Sequence, residues 1–152
     1  MIKSTNNNME ANNYHATITA KTTANKAFDN INRVKEWWAK NFSGSSQKLN
    51  DVFTVRFGET FVQFKLVEVV PGKKVVWLVT DCYLHWLHDK TEWNGTSVVF
   101  EINDLKGSTK IDMTHVGLVP GAECYADCKK GWDGHIKQSL YKLVTEGKGM
   151  PE

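Results

Sequence analysis

Residues 123–147 read ECYADCKKGWDGHIKQSLYKLVTEG, and this stretch decides the fold. Cys124, Cys128, Trp132, Ile136, Leu140 and Leu143 recur at steps of four, with a last step of three. That spacing gathers bulky apolar side chains on one face of a helix. Lys129, Lys130, Asp133, Lys137, Lys142 and Glu146 fall mostly on the other face. Glu123 and Asp127 sit in the first turns, where the helix dipole favours negative charge. Gly147 can take the left-handed conformation that closes a helix. The pattern predicts one long helix over residues 123–146. A helix with so bulky a stripe must lie across a second layer, and the preceding residues supply a sheet.

Working outward from the helix, Ile111, Met113 and His115 alternate with Lys110, Asp112 and Thr114. Val98, Phe100 and Ile102 alternate with Ser97, Val99 and Glu101, and Val75, Trp77 and Val79 with Val76, Leu78 and Thr80. Residues 61–70 and the alternation of Phe53, Val55 and Phe57 add two more strands. Pro71-Gly72 and Asn94-Gly95 mark turns. Residues 42–50 are small and polar and predict a loop. Residues 81–93 fit either a bulged continuation of a strand or a loop covering the sheet. Near the start, Tyr14, Ala16, Ile18 and Ala20 form a first strand. Two short helices follow it, the first capped by Thr22 or Thr23 and the second carrying Val34, Trp37 and Trp38. Residues 1–12 are rich in Asn and are expected as a flexible tail, leaving residues 13–152 as one domain. The order predicts an α+β fold: a curved antiparallel sheet of six or seven strands gripping one long C-terminal helix.

A chain of 152 residues is long enough for one domain with a substantial core. A net charge of +2 with 24% charged residues is too balanced to make nucleic acid the expected partner. No apolar run reaches the ~18 residues of a membrane span. The first residues lack the apolar core of a signal peptide. Three cysteines, an odd number, fit free thiols better than a disulfide framework, so a cytoplasmic location is expected.

Several short motifs go beyond periodicity. They are Trp37-Trp38, Val75-Val76-Trp77, DKTEW at 89–93 with Gly95-Thr96, and Phe100-Glu101-Ile102. THVGLVP at 114–120, Glu123-Cys124-Tyr125, Gly131-Trp132, Ser139-Leu140 and GKGMP at 147–151 complete the set. Over roughly residues 13–151 the chain resembles the SRPBCC superfamily, with its START-like or helix-grip fold. Within it, the chain is similar to the C-terminal domain of the heat-shock-protein-90 ATPase activator. The resemblance implies the fold and, through that group, a protein-interaction role with a chaperone contact. It does not imply a reaction, because lipid carriers, hormone receptors and cyclases share the superfamily.

Cys82, His85, His88 and Asp89 include a Cys/His spacing that zinc sites use, but in an extended chain the two histidines point to opposite faces. No metal is expected. Cys124 and Cys128 share the buried helix face and are expected as separate core thiols without a disulfide. No Ser-His-Asp set, nucleophile elbow or Gly-rich phosphate loop can be assembled, so neither catalytic residues nor a cofactor are expected. Gly131 and Gly134 flank Trp132, each costing about 0.8–1 kcal/mol in a helix. Close packing, a bend or open room would each account for them.

Strand alternation and the helical step aim one set of side chains at a common space. They predict a pocket between helix and sheet lined by Trp77, Phe100, Met113, His115, Cys128 and Trp132, with Trp38 closing one end. The expected occupant is a small hydrophobic or amphipathic molecule whose polar end meets His115. For His115 itself, a core histidine satisfied by one hydrogen bond is the simpler expectation. An enzyme using the same cavity is the third function carried forward. The sequence carries no signal of oligomeric state.

Overall fold

The computed structural model describes residues 12–152. Apart from Asn12, the expected tail lies outside the described residues. The alternating stretches form seven strands: β1 (Tyr14–Ala20), β2 (Phe42–Gly44), β3 (Val52–Phe57), β4 (Thr60–Val70), β5 (Lys74–Tyr83), β6 (Ser97–Asp104) and β7 (Thr109–Val116). Helices α1 (Ala24–Asn32) and α2 (Val34–Trp37) lie between β1 and β2. All strands join one antiparallel sheet in the order β1-β7-β6-β5-β4-β3-β2. The first strand therefore pairs with the last, placing Tyr14 opposite His115 and Ile18 opposite Ile111. Register shifts at Gln63/Phe64 and Leu66/Glu68 mark irregularities between β4 and β5, of the kind that bend a strand and help a sheet curl.

Thr23 is the cap of α1 and accepts from the Lys26 N–H at 3.1 Å. Residues 42–50 are not wholly a loop, as expected above, because Phe42–Gly44 pairs with β3. Three residues are too few for alternation to show. Gly44, at φ +94°, lies where a Cβ would run into the β3 backbone.

The long helix is continuous. α3 (Tyr125–Gly134) passes into a π-register segment (His135–Leu140) and then α4 (Tyr141–Glu146), closed by Gly147 at φ +81°. Cys124, Cys128, Trp132, Ile136, Leu140 and Leu143 are all buried, as their spacing requires. They meet Phe64, Leu66, Trp77, Phe100, Ile111 and Met113 from the sheet, none of which retains any exposure. These side chains belong to one continuous core.

Candidate binding site

Beyond Tyr83 the chain leaves the sheet in a loop, residues 84–96, which settles the ambiguity over 81–93. Leu84, Leu87 and Trp93 are buried under it, while Trp86 stays half exposed. Two carboxylates clasp this loop to the start of the long helix. Glu92 accepts from the backbone N–H groups of Glu123 at 2.7 Å and Cys124 at 3.0 Å. Glu123 in return accepts from the backbone of His88 at 2.7 Å and Asp89 at 3.0 Å. Glu92 thus satisfies amides that a helix start leaves without intrahelical partners. The bonds from Asp89 and His88 hold the Glu123 carboxyl below its ordinary range.

The last residues approach from the other side. The Glu152 N–H donates to the Trp38 carbonyl at 2.9 Å, and the Lys40 N–H to the Glu152 carbonyl at 2.8 Å. Ser139 Oγ donates to the Trp37 carbonyl at 2.6 Å and accepts from the Met150 N–H at 2.7 Å. Gly149 is required there, since a Cβ would meet the Glu36 carbonyl.

Between loop, helix and this strap lies a cavity of about 340 Å³. Its walls are Trp38, Phe57, Thr60, Val62, Leu84, Trp86, Trp93, Asp127, Cys128, Gly131, Trp132, His135 and Glu152. The exposed residues among them, Trp86, Asp127 and Glu152, mark its mouth. Trp38 and Trp132 face each other with ring centroids 4.9 Å apart, and Trp93 lies nearly parallel to Trp132 at 6.1 Å. The indole N–H groups of Trp38 and Trp93 are buried and have no hydrogen-bond partner among the described residues. His135 Nε2 stands 3.5 Å from a Glu152 carboxylate oxygen. Burial holds the His135 pKa below the ordinary value, with the Glu152 charge offsetting part of that.

Of the seven residues expected to line a pocket, Trp38, Cys128 and Trp132 do so. Trp77, Phe100, Met113 and His115 have no exposure and pack behind the wall. Alternation gives their direction correctly but not their depth. His115 has no nitrogen free for a ligand. Trp132 Nε1 donates to its Nδ1 at 3.1 Å. Thr96 Oγ1 gives its proton to the Trp93 carbonyl at 2.6 Å, so it accepts from His115 Nε2 at 2.9 Å. This is the core histidine of the simpler expectation, now with two bonds. Burial pushes its pKa down to about 3. It positions the Trp132 indole and leaves the cavity to others.

Phe57, Trp86, Trp93, Asp127, His135 and Glu152 were not anticipated. Gly131 carried the one usable signal, because a helix glycine beside a tryptophan implies room. A Cβ added at Gly131 or Gly134 meets nothing within 4 Å, so close packing is not the reason for either.

The expectation of separate thiols at Cys124 and Cys128 is overturned, for the structure joins them in a disulfide. The helix begins only at Tyr125, so Cys124 stands one residue before it, with a Cα–Cα distance of 5.5 Å. That spacing lies within disulfide reach. Cys82 is buried as a free thiol. Among the described residues no three His, Cys, Asp or Glu side chains converge on a metal position.

No protein-family model matches the sequence, and no curated protein does. Solved structures do match. The Aha1 dimer from Colwellia psychrerythraea has a TM-score of 0.74 and 23% identity, covering 90% of this chain and 98% of that one. This is the START-like, helix-grip fold of the Aha1-like proteins. A Staphylococcus saprophyticus protein shares it at TM-score 0.68 and 10% identity, covering 91% of this chain and 95% of that one. A Mesorhizobium loti protein does so at 0.66 and 14%, covering 86% and 96%. No helix among the described residues is long and apolar enough to cross a membrane.

Proposed function

We propose that the protein binds a small amphipathic molecule in the cavity between residues 84–96, α3 and the strap. One observation carries this reading. Four tryptophans, Trp38, Trp86, Trp93 and Trp132, and Phe57 wall an open and otherwise largely apolar space. A concave, mostly aromatic lining with a few polar groups at its rim is the usual make-up of a small-molecule site. A volume of about 340 Å³ is at the small end for ligand sites, which suits a ring system better than a long-chain lipid. In this reading the protein is a small-molecule binding module.

Native mass spectrometry of the purified protein tests the reading together with tryptophan emission during titration with small aromatic compounds. A bound species and an emission change are expected. Gly131→Leu, whose side chain enters open space, should abolish both while the far-UV spectrum is unchanged. Failure to find any ligand or emission change would count against the proposal.

A second reading is supported by Trp86, half exposed at the mouth. The loop would then dock a partner protein, as the resemblance to chaperone activators implies. Trp86→Ala should in that case abolish co-sedimentation with a purified chaperone, and Gly131→Leu should not.

A further inference from the structure

We infer that the molecule this cavity takes carries a positive charge, as an aromatic or alkyl amine or a quaternary ammonium. The inference rests on the binding reading above and adds the ligand's chemical class. Its first support is the wall itself. Trp38, Trp86, Trp93 and Trp132 contribute four indoles, and Phe57 a phenyl ring. Aromatic faces carry negative potential, and cations seat on them, tryptophan best of all.

The second support is the charge at the mouth. The lining includes two carboxylates, Asp127 and Glu152, and neither a lysine nor an arginine. Three nearby lysines are engaged elsewhere. Lys129 and Lys137 both pair with Asp133, at 3.3 and 3.5 Å. Lys90 donates to the His85 and Leu87 carbonyls at 2.8 and 2.7 Å. His135 is the only basic side chain in the lining, and burial disfavours its charged form. Glu152 therefore keeps its negative charge available to a ligand. An anion entering the mouth would meet two carboxylates and then aromatic faces. A neutral ligand would gain no ionic attraction from the two acids.

The charge complementarity also fits the depth of the site. Trp38, Trp93 and Trp132 are buried, while Asp127 and Glu152 are exposed. A ligand with an apolar inner end and an ammonium on its outer end satisfies both zones at once.

The test is a tryptophan-emission titration with three probes that share a phenyl body: phenethyltrimethylammonium, phenylpropanol and phenylpropionate. The cation should bind about tenfold more tightly than the alcohol, and the carboxylate most weakly. The double variant Asp127→Asn, Glu152→Gln should weaken the cation about tenfold and leave the alcohol unchanged. Glu152 holds its place through its backbone, so the variant keeps the strap. Equal or tighter binding of the alcohol or the carboxylate overturns the cation while leaving the pocket in place. An unchanged cation affinity in the double variant overturns it too. If none of the three probes shifts the emission or adds mass in native spectra, both the cation and the binding reading fall.

Discussion

Trp77 and Trp38 stack almost parallel, 6.2 Å apart and 3° from coplanar, yet they belong to two different regions. Around Trp77 lie Phe100 at 4.9 Å, Phe53 at 5.1 Å, Phe64 at 5.4 Å and Trp37 at 6.3 Å. Nothing there is exposed. Beyond Trp38 lie Trp132, open volume, and a mouth bearing Asp127, His135 and Glu152. The same aromatic chemistry serves as filling where helix and sheet lie closest. It serves as wall where a straight helix and a curved sheet separate. What distinguishes the regions is that Trp38 borders the open volume and Trp77 does not.

The largest expected difference follows directly. Trp77→Ala should cost about 3–5 kcal/mol in urea unfolding, the usual range for emptying a packed aromatic site. Trp38→Ala should cost clearly less, because part of its surroundings is already open, yet it should abolish ligand binding. Equal costs for the two variants would erase the distinction between filling and wall.

A pH experiment sharpens the boundary between the regions. In the folded state His115 stays neutral down to about pH 3. In the unfolded chain it takes up a proton below about pH 6.5. The unfolded state therefore binds more protons between these values, and stability must fall as pH is lowered through that window. One such proton corresponds to a slope of about 1.4 kcal/mol per pH unit. His115→Phe should lack this slope when compared with the parent protein. Its ligand affinity should change far less than that of Trp132→Ala, since His115 does not reach the cavity.

The smallest effects separate two neighbouring glycines. Gly131→Ala and Gly134→Ala should each raise stability by up to about 1 kcal/mol, because the added methyl meets open space and the helix gains propensity. Only Gly131 borders the cavity, so only its variant should alter binding. A thiol titration completes the set. The denatured, unreduced protein should show one reactive cysteine, Cys82, and three after reduction.

Period two and the four-residue ladder made the sheet and the long helix legible, because burying one face of an element imposes that pattern. They identified which side of β5, β6 and β7 faces inward. They were silent on depth, which depends on how many rings from other elements crowd the same spot. Trp37 and Phe53 set that crowding, and neither lies on the strands whose alternation drew the pocket. Trp86 and Trp93 sit on a segment without a period, so nothing local aimed them at the helix. Their loop is fixed by Glu92 reaching amides more than 30 residues away. The disulfide was missed because its formation depends on where the helix starts, a boundary that periodicity leaves uncertain by a residue or two.

The widened hydrogen-bond register of His135–Leu140 has a consequence for phase. In a regular α-helix each four-residue step overshoots a full turn by about 40°. Four successive steps, from Cys124 to Leu140, would carry the stripe nearly half-way round the axis. Turns that hold more residues cancel this drift and keep the later rungs on the same bearing. The segment thus holds slack that the flanking turns do not. Removing one residue within it should let the turns relax to regular α while both halves still face the sheet. Removing one within Tyr125–Gly134 should rotate the two halves against each other by about 100°, swinging either the cavity wall or the sealed core out of line.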